Sequence, residues 1–127
     1  MTRDRARVAI DMAQSDAEVE RSEAIAWLLG HPDDARPLLV EVVRTGTATS
    51  PEIVMRTLAA VGGEEAVAAI KAALLRGHPG EAFYAAVALA ESGASGHEVL
   101  RRHADHPVEA VRTAVAHATS IGPEDRR

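Results

Sequence analysis

Residues 51–62 read PEIVMRTLAAVG, residues 79–92 read PGEAFYAAVALAES and residues 107–120 read PVEAVRTAVAHATS. Pro51, Pro79 and Pro107 stand twenty-eight residues apart, and the residues after each proline line up. A repeat of this period marks a small supersecondary unit that buries its apolar face only by stacking on copies of itself. An earlier copy, DAEVERSEAIAWLLG from Asp16, is offset by thirty-five because the loop TGTATS (45–50) is longer than its counterparts.

Each copy spaces its apolar residues as a helix does: Val19, Ile25, Leu28 and Leu29, then Ile53, Val54 and Leu58, then Phe83, Val87 and Leu89, then Val111 and Val115. Alanine fills most other positions, which lets helices approach closely. Second helices are expected between these first ones, in DDARPLLVEVVRTG (33–46), EEAVAAIKAALLRG (64–77) and SGHEVLRRHAD (95–105). Gly46 and Gly77 stop two of them, and Gly62-Gly63 ends a first helix. No stretch alternates as a strand would. The expected class is all-α, with a capping helix in 1–14, a repeat domain over 15–121 and a polar tail in 122–127.

The chain has 127 residues, enough for one domain that buries roughly two-thirds of its unfolded surface. It has no cysteine, which removes disulfides, thiolate metal sites and cysteine nucleophiles. The amino-terminal MTRDRARVAIDMAQ lacks the apolar core of a secretory signal, and no stretch reaches membrane-spanning length, so a cytoplasmic, membrane-free protein is expected. A formal charge of −5 opposes generic attraction to nucleic acid or anionic lipid. Lys71 is the only lysine and asparagine is absent, a usage expected of a GC-rich bacterial genome.

The His-Pro pairs in GHPGEA (77–82) and DHPVEA (105–110) read as punctuation. The residues before the proline column are Ser15, Ser50, His78 and His106, all at expected N-cap positions. Ser15 with Glu18, and Ser95 with Glu98, have the spacing of capping boxes. His103 and His106 are three apart, as two metal ligands on one helical face would be, but a full ligand set is missing, so no metal and no cofactor are expected. No serine stands at a spacing that marks a catalytic pair with a histidine, and Glu64-Glu65 reads as a negative helix start; no catalytic residue is assigned. Arg21, Arg56 and Arg112 share one column, with Tyr84 in the fourth copy. They read either as a ladder joining neighbouring repeats or as a row of ligand-binding cations, and the ladder is favoured because stacking demands regularity.

With these residues in place, the chain resembles the bacterial HEAT-like repeats, short-period relatives of the armadillo and HEAT solenoids that also occur in phycobilin lyases. A turn with proline, an apolar residue, arginine and then alanines, as in PVEAVRTAVAHA and PEIVMRTLAAVG, carries the resemblance. It implies a short right-handed α-solenoid of about three and a half antiparallel helix pairs, a concave face lined by second helices, and protein binding as the usual role. Tyr84 departs from the arginine of the pattern.

The expected function is a non-catalytic protein-binding scaffold. The outward candidates are Arg36, Val40, Glu41 and Arg44 on the first of the second helices, Ala68, Lys71 and Leu75 on the next, and Arg101 and Arg102 on the third. Leu38, Leu39, Val42 and Val43 are expected in the core, with Val67, Ile70 and Leu74, and with Trp27, Phe83 and Val111 from the first helices. The alternatives are a nucleic-acid or base-excision module, which needs a basic cleft and stacking aromatics that one Trp, one Phe and one Tyr scarcely supply, and a lyase-type subunit. An apolar strip of Ala110, Ala114, Val115 and Ala118 is expected at the carboxy-terminal end, where it would support a homo-oligomer or a tight heterocomplex.

Overall fold

The computed structural model describes residues 2–120; Met1 and residues 121–127 lie outside the described residues, and so do the expected tail 122–127 and residue 121. Among the described residues there are eight helices and no strand: α1 (Thr2–Ala13), α2 (Glu18–Gly30), α3 (Pro32–Thr45), α4 (Pro51–Val61), α5 (Glu64–Leu75), α6 (Pro79–Ala90), α7 (Gly93–Arg102) and α8 (Glu109–Ser120). The protein is all-α. None of these helices is long and apolar enough to cross a membrane.

Local chemistry sets several helix ends. Pro32 opens α3 with Asp33 and Asp34 in its first turn, and Pro51 opens α4 with Glu52. Proline loses no bond there, and the carboxylates face the positive end of the helix dipole. Gly46 closes α3 at φ 67°, a left-handed conformation in which its N–H reaches the carbonyls of Val42 and Val43.

The expected capping boxes do not form. Ser15 Oγ accepts the N–H of Ala17 in a turn ahead of α2, whose first residue is Glu18 itself. Ser95 lies inside α7, and Glu98 turns to Arg101 and Arg102 instead. His78 occupies the N-cap position of α6 but its side chain makes no capping bond. His106 accepts the N–H of Val108 at Nδ1, 3.1 Å away, in a turn that leaves Pro107 outside α8.

Helices α2, α4, α6 and α8 pack in sequence in one row, and α1, α3, α5 and α7 in a second row laid against it. Small residues make the middle of this arrangement tight. Helix α6 buries Ala82, Ala85, Ala86, Ala88 and Leu89 completely and touches α4, α5, α7 and α8. Helix α8 rests on α6 with Val111, Ala114, Val115 and Ala118 buried. The strip expected to stay open for a second copy is therefore closed by the chain's own α6, with only Ala110 half-exposed.

The core departs from expectation at several apolar positions. Val111, Leu38, Leu39, Val43, Ile70 and Leu74 are buried as expected, while Val42 and Val67 are half-buried against the core. Trp27 is also half-buried rather than internal. Phe83 is 37 % exposed: its ring leans over His117 on α8, centroids 4.5 Å apart, because the alanine contact between α6 and α8 leaves no room for a phenyl group. Val19, at 70 %, lies in solvent.

Candidate functional site

Glu41 and Arg44 on α3, Ala68 and Lys71 on α5, and Arg101 and Arg102 on α7 are exposed, as expected of an outer face. Val40 is not: it is only 5 % exposed. Arg36, Val40 and Val43 form one helical stripe, and that stripe faces α5. Arg36 donates from Nε to the carbonyl of Gly62 at 2.7 Å and from Nη2 to that of Val61 at 3.4 Å, at the α4–α5 junction. In return Arg76, just past α5, donates from Nη2 to the carbonyl of Val43 at 2.8 Å and from Nη1 to that of Arg44 at 3.3 Å. Arg36 is thus a cross-link, and Val40 is covered between two cross-links. Leu75 packs half-buried against the core instead of pointing outward.

The arginine column divides. Arg56 spans to the next first helix, holding Glu91 through Nε at 2.9 Å and Nη2 at 2.7 Å, with Glu52 at 3.9 Å. The hydrogen bond to Glu91, then its charge, raises the Arg56 pKa above the ordinary guanidinium value. Arg21 and Arg112 instead fold back on the turns ahead of their own helices, Arg21 on the carbonyl of Ser15 and Arg112 on those of His106 and Pro107. Only one rung of the expected ladder therefore joins two repeats.

Two connectors carry no signal in the sequence. Arg76 chelates Glu81 at 2.9 and 2.7 Å, a hydrogen bond that raises its pKa, while also satisfying the carboxy-terminal carbonyls of α3. Gln14 joins α1 to the start of α4 by accepting the N–H of Ser50 at 2.8 Å and the hydroxyl of Thr49 at 3.1 Å. Nothing in the local spacing of Arg76 or Gln14 announces partners more than thirty residues away.

Most of the histidines bond to backbone. His31 donates from Nδ1 to the carbonyl of Trp27 at 2.8 Å and stacks on its indole, centroids 4.0 Å apart. The i, i+4 spacing of Trp27 and His31 was the legible trace of that contact. His97 reaches the carbonyl of Ala90 from Nε2 at 2.9 Å, and His103 that of Val99 from Nδ1 at 2.8 Å. The rings of His103 and His106 are 5.8 Å apart, but each turns its Nδ1 to the backbone. Among the described residues no group of three or more His, Asp or Glu side chains is placed to hold a metal ion.

Two open grooves lie beside α2. One, of about 420 Å³, runs between α1 and α2 past Val8, Met12 and Trp27, with the Arg5 guanidinium 5.6 Å from the indole centre. The other, of about 450 Å³, runs between α2 and α4; Ile25, Leu29 and Ile53 line it together with Glu52, Arg56 and Glu91. On α3 and α5, by contrast, no side-chain bond to another described residue engages the Arg44 guanidinium, the Lys71 ammonium or the carboxylate of Glu41, which lines a pocket with Arg7 and Asp11 of α1. No family model, curated protein or solved structure matches the chain.

Proposed function

We propose that the chain is a HEAT-like repeat module, a short right-handed α-solenoid that serves as a non-catalytic protein-binding scaffold, with α3, α5 and α7 lining its concave face. The two rows of alternating helices and the twenty-eight-residue period support the architecture. The observation that carries the function is the division of labour among polar side chains. Arg36, Arg56, Arg76, Gln14 and four histidines hold helix ends and turns, whereas Arg44, Lys71, Ala68 and Glu41 are exposed on α3 and α5 and no side chain among the described residues engages the three charged groups. A face of isolated charges around a small apolar residue suits a protein surface in which a few anchors carry the affinity.

The test is a photo-crosslinking residue at Ala68 in the expressing cell. A discrete protein adduct, absent when the same residue stands at exposed Ala116 on α8 in the other helix row, is the expected result. Identical adduct patterns at the two positions, or none at Ala68, contradict the reading.

A further inference from the structure

We propose that the groove between α2 and α4 receives an amphipathic helix of another protein, aliphatic on one face and bearing lysine or arginine beside it. This surface belongs to the other helix row from the α3–α5 face, and the proposal stands without that face. Its floor is apolar: Ile25 and Leu29 lie one turn apart on α2, Ile53 faces them from α4, and Leu29 is 43 % exposed. A ridge at i, i+4 spacing is what the i, i+3 and i+4 side chains of a docking helix seat against.

Charge selects among occupants. The charged side chains lining the groove are Glu52 and Glu91 against Arg56. Arg56 is paired with Glu91 through two hydrogen bonds, so the Glu52 carboxylate at the groove edge leaves its lining negative. A second copy docked through the same face would set carboxylate against carboxylate, and an anionic membrane or a nucleic acid would be repelled. A basic helix gains on every count, in steering and in register.

The experiment uses the full chain with labelled methyl groups and two acetylated, amidated peptides of about four turns, roughly 15 residues. Both carry leucine at i, i+3, i+4 and i+7; one has lysine at the flanking positions and the other glutamate. The leucine–lysine peptide is expected to shift the methyl signals of Ile25, Leu29 and Ile53, and the leucine–glutamate peptide to leave them in place. Leu29→Glu is expected to weaken binding about tenfold or more at an unchanged melting temperature, since residue 29 is exposed, and Glu52→Lys to weaken it independently. The proposal is overturned by equal response to both peptides, by shifts confined to Ala68 and its neighbours, or by no shift at about 1 mM peptide. It is equally overturned if the same methyl signals move with anionic phospholipid vesicles, with duplex DNA, or with the concentration of the chain alone.

Discussion

Gly96 is where one added methyl group should do most harm. Helix propensity alone favours alanine over glycine by about 1 kcal/mol. Yet Gly96 is buried, and a Cβ there would overlap the backbone carbonyl of Leu89 on α6 and the Ser92 side chain. A backbone carbonyl cannot rotate away as a side chain can, and overpacking costs about 1–3 kcal/mol or more. Gly96→Ala is therefore expected to lower the melting temperature by circular dichroism; a rise would mean that α6 and α7 are not in contact here. The sequence marks residue 96 only as one position in a helix, because the contact depends on how two helices cross. The arginines extend the point. Arg76 is less exposed along its side chain than Arg56 and bonds two carbonyls as well as Glu81, so Arg76→Ala is expected to cost about 1–2 kcal/mol in urea denaturation. The Arg56 pair is about half exposed and screened by solvent, so Arg56→Ala should cost less than about 1 kcal/mol. The reverse order would contradict the assignment of Arg76 as the stronger connector.

The helices themselves were legible in the sequence to within a few residues, because proline, acid-rich first turns and glycine act locally. Their faces were legible only where one neighbour decides burial. Val40 reads as outward on a helical wheel, and only the arrival of α5 along the stripe Arg36–Val40–Val43 buries it. Ala114 reads as an open strip for the opposite reason, since its cover, α6, lies a whole repeat earlier. Ala114→Glu would force a carboxylate between α6 and α8 and is expected to destabilise the monomer by several kcal/mol, of the order of burying an unpaired polar group; an unchanged melting curve would contradict that packing. Helix α7 offers a test of charge. The hydrogen bond from Arg101, then its charge, holds the Glu98 carboxyl below its ordinary value of 4.5. A folded pKa below the unfolded one stabilises fully above the ordinary carboxylate range, and that contribution is lost as pH falls through the lowered value. Arg101→Gln is therefore expected to raise the Glu98 midpoint in an NMR titration, and an unmoved midpoint would show that the pair does not persist in solution.

At the scale of the molecule, a period of twenty-eight residues foretold that neighbouring copies rest on one another, and the even-numbered helices do so. The grooves were not foretold, since each depends on the separation of two helices and not on either alone. Arg36, Arg56 and Arg76 tie helix ends and turns together, while no side chain among the described residues engages Glu41, Arg44 or Lys71 on α3 and α5, the groups proposed to meet a partner. The most direct measurement is made on the double variant Arg44→Glu with Lys71→Glu, recording melting temperature and affinity for the protein crosslinked at Ala68 in the same preparation. Affinity falling more than about tenfold at an unchanged melting temperature is the predicted result; an unchanged affinity, or a loss that merely tracks unfolding, would contradict it.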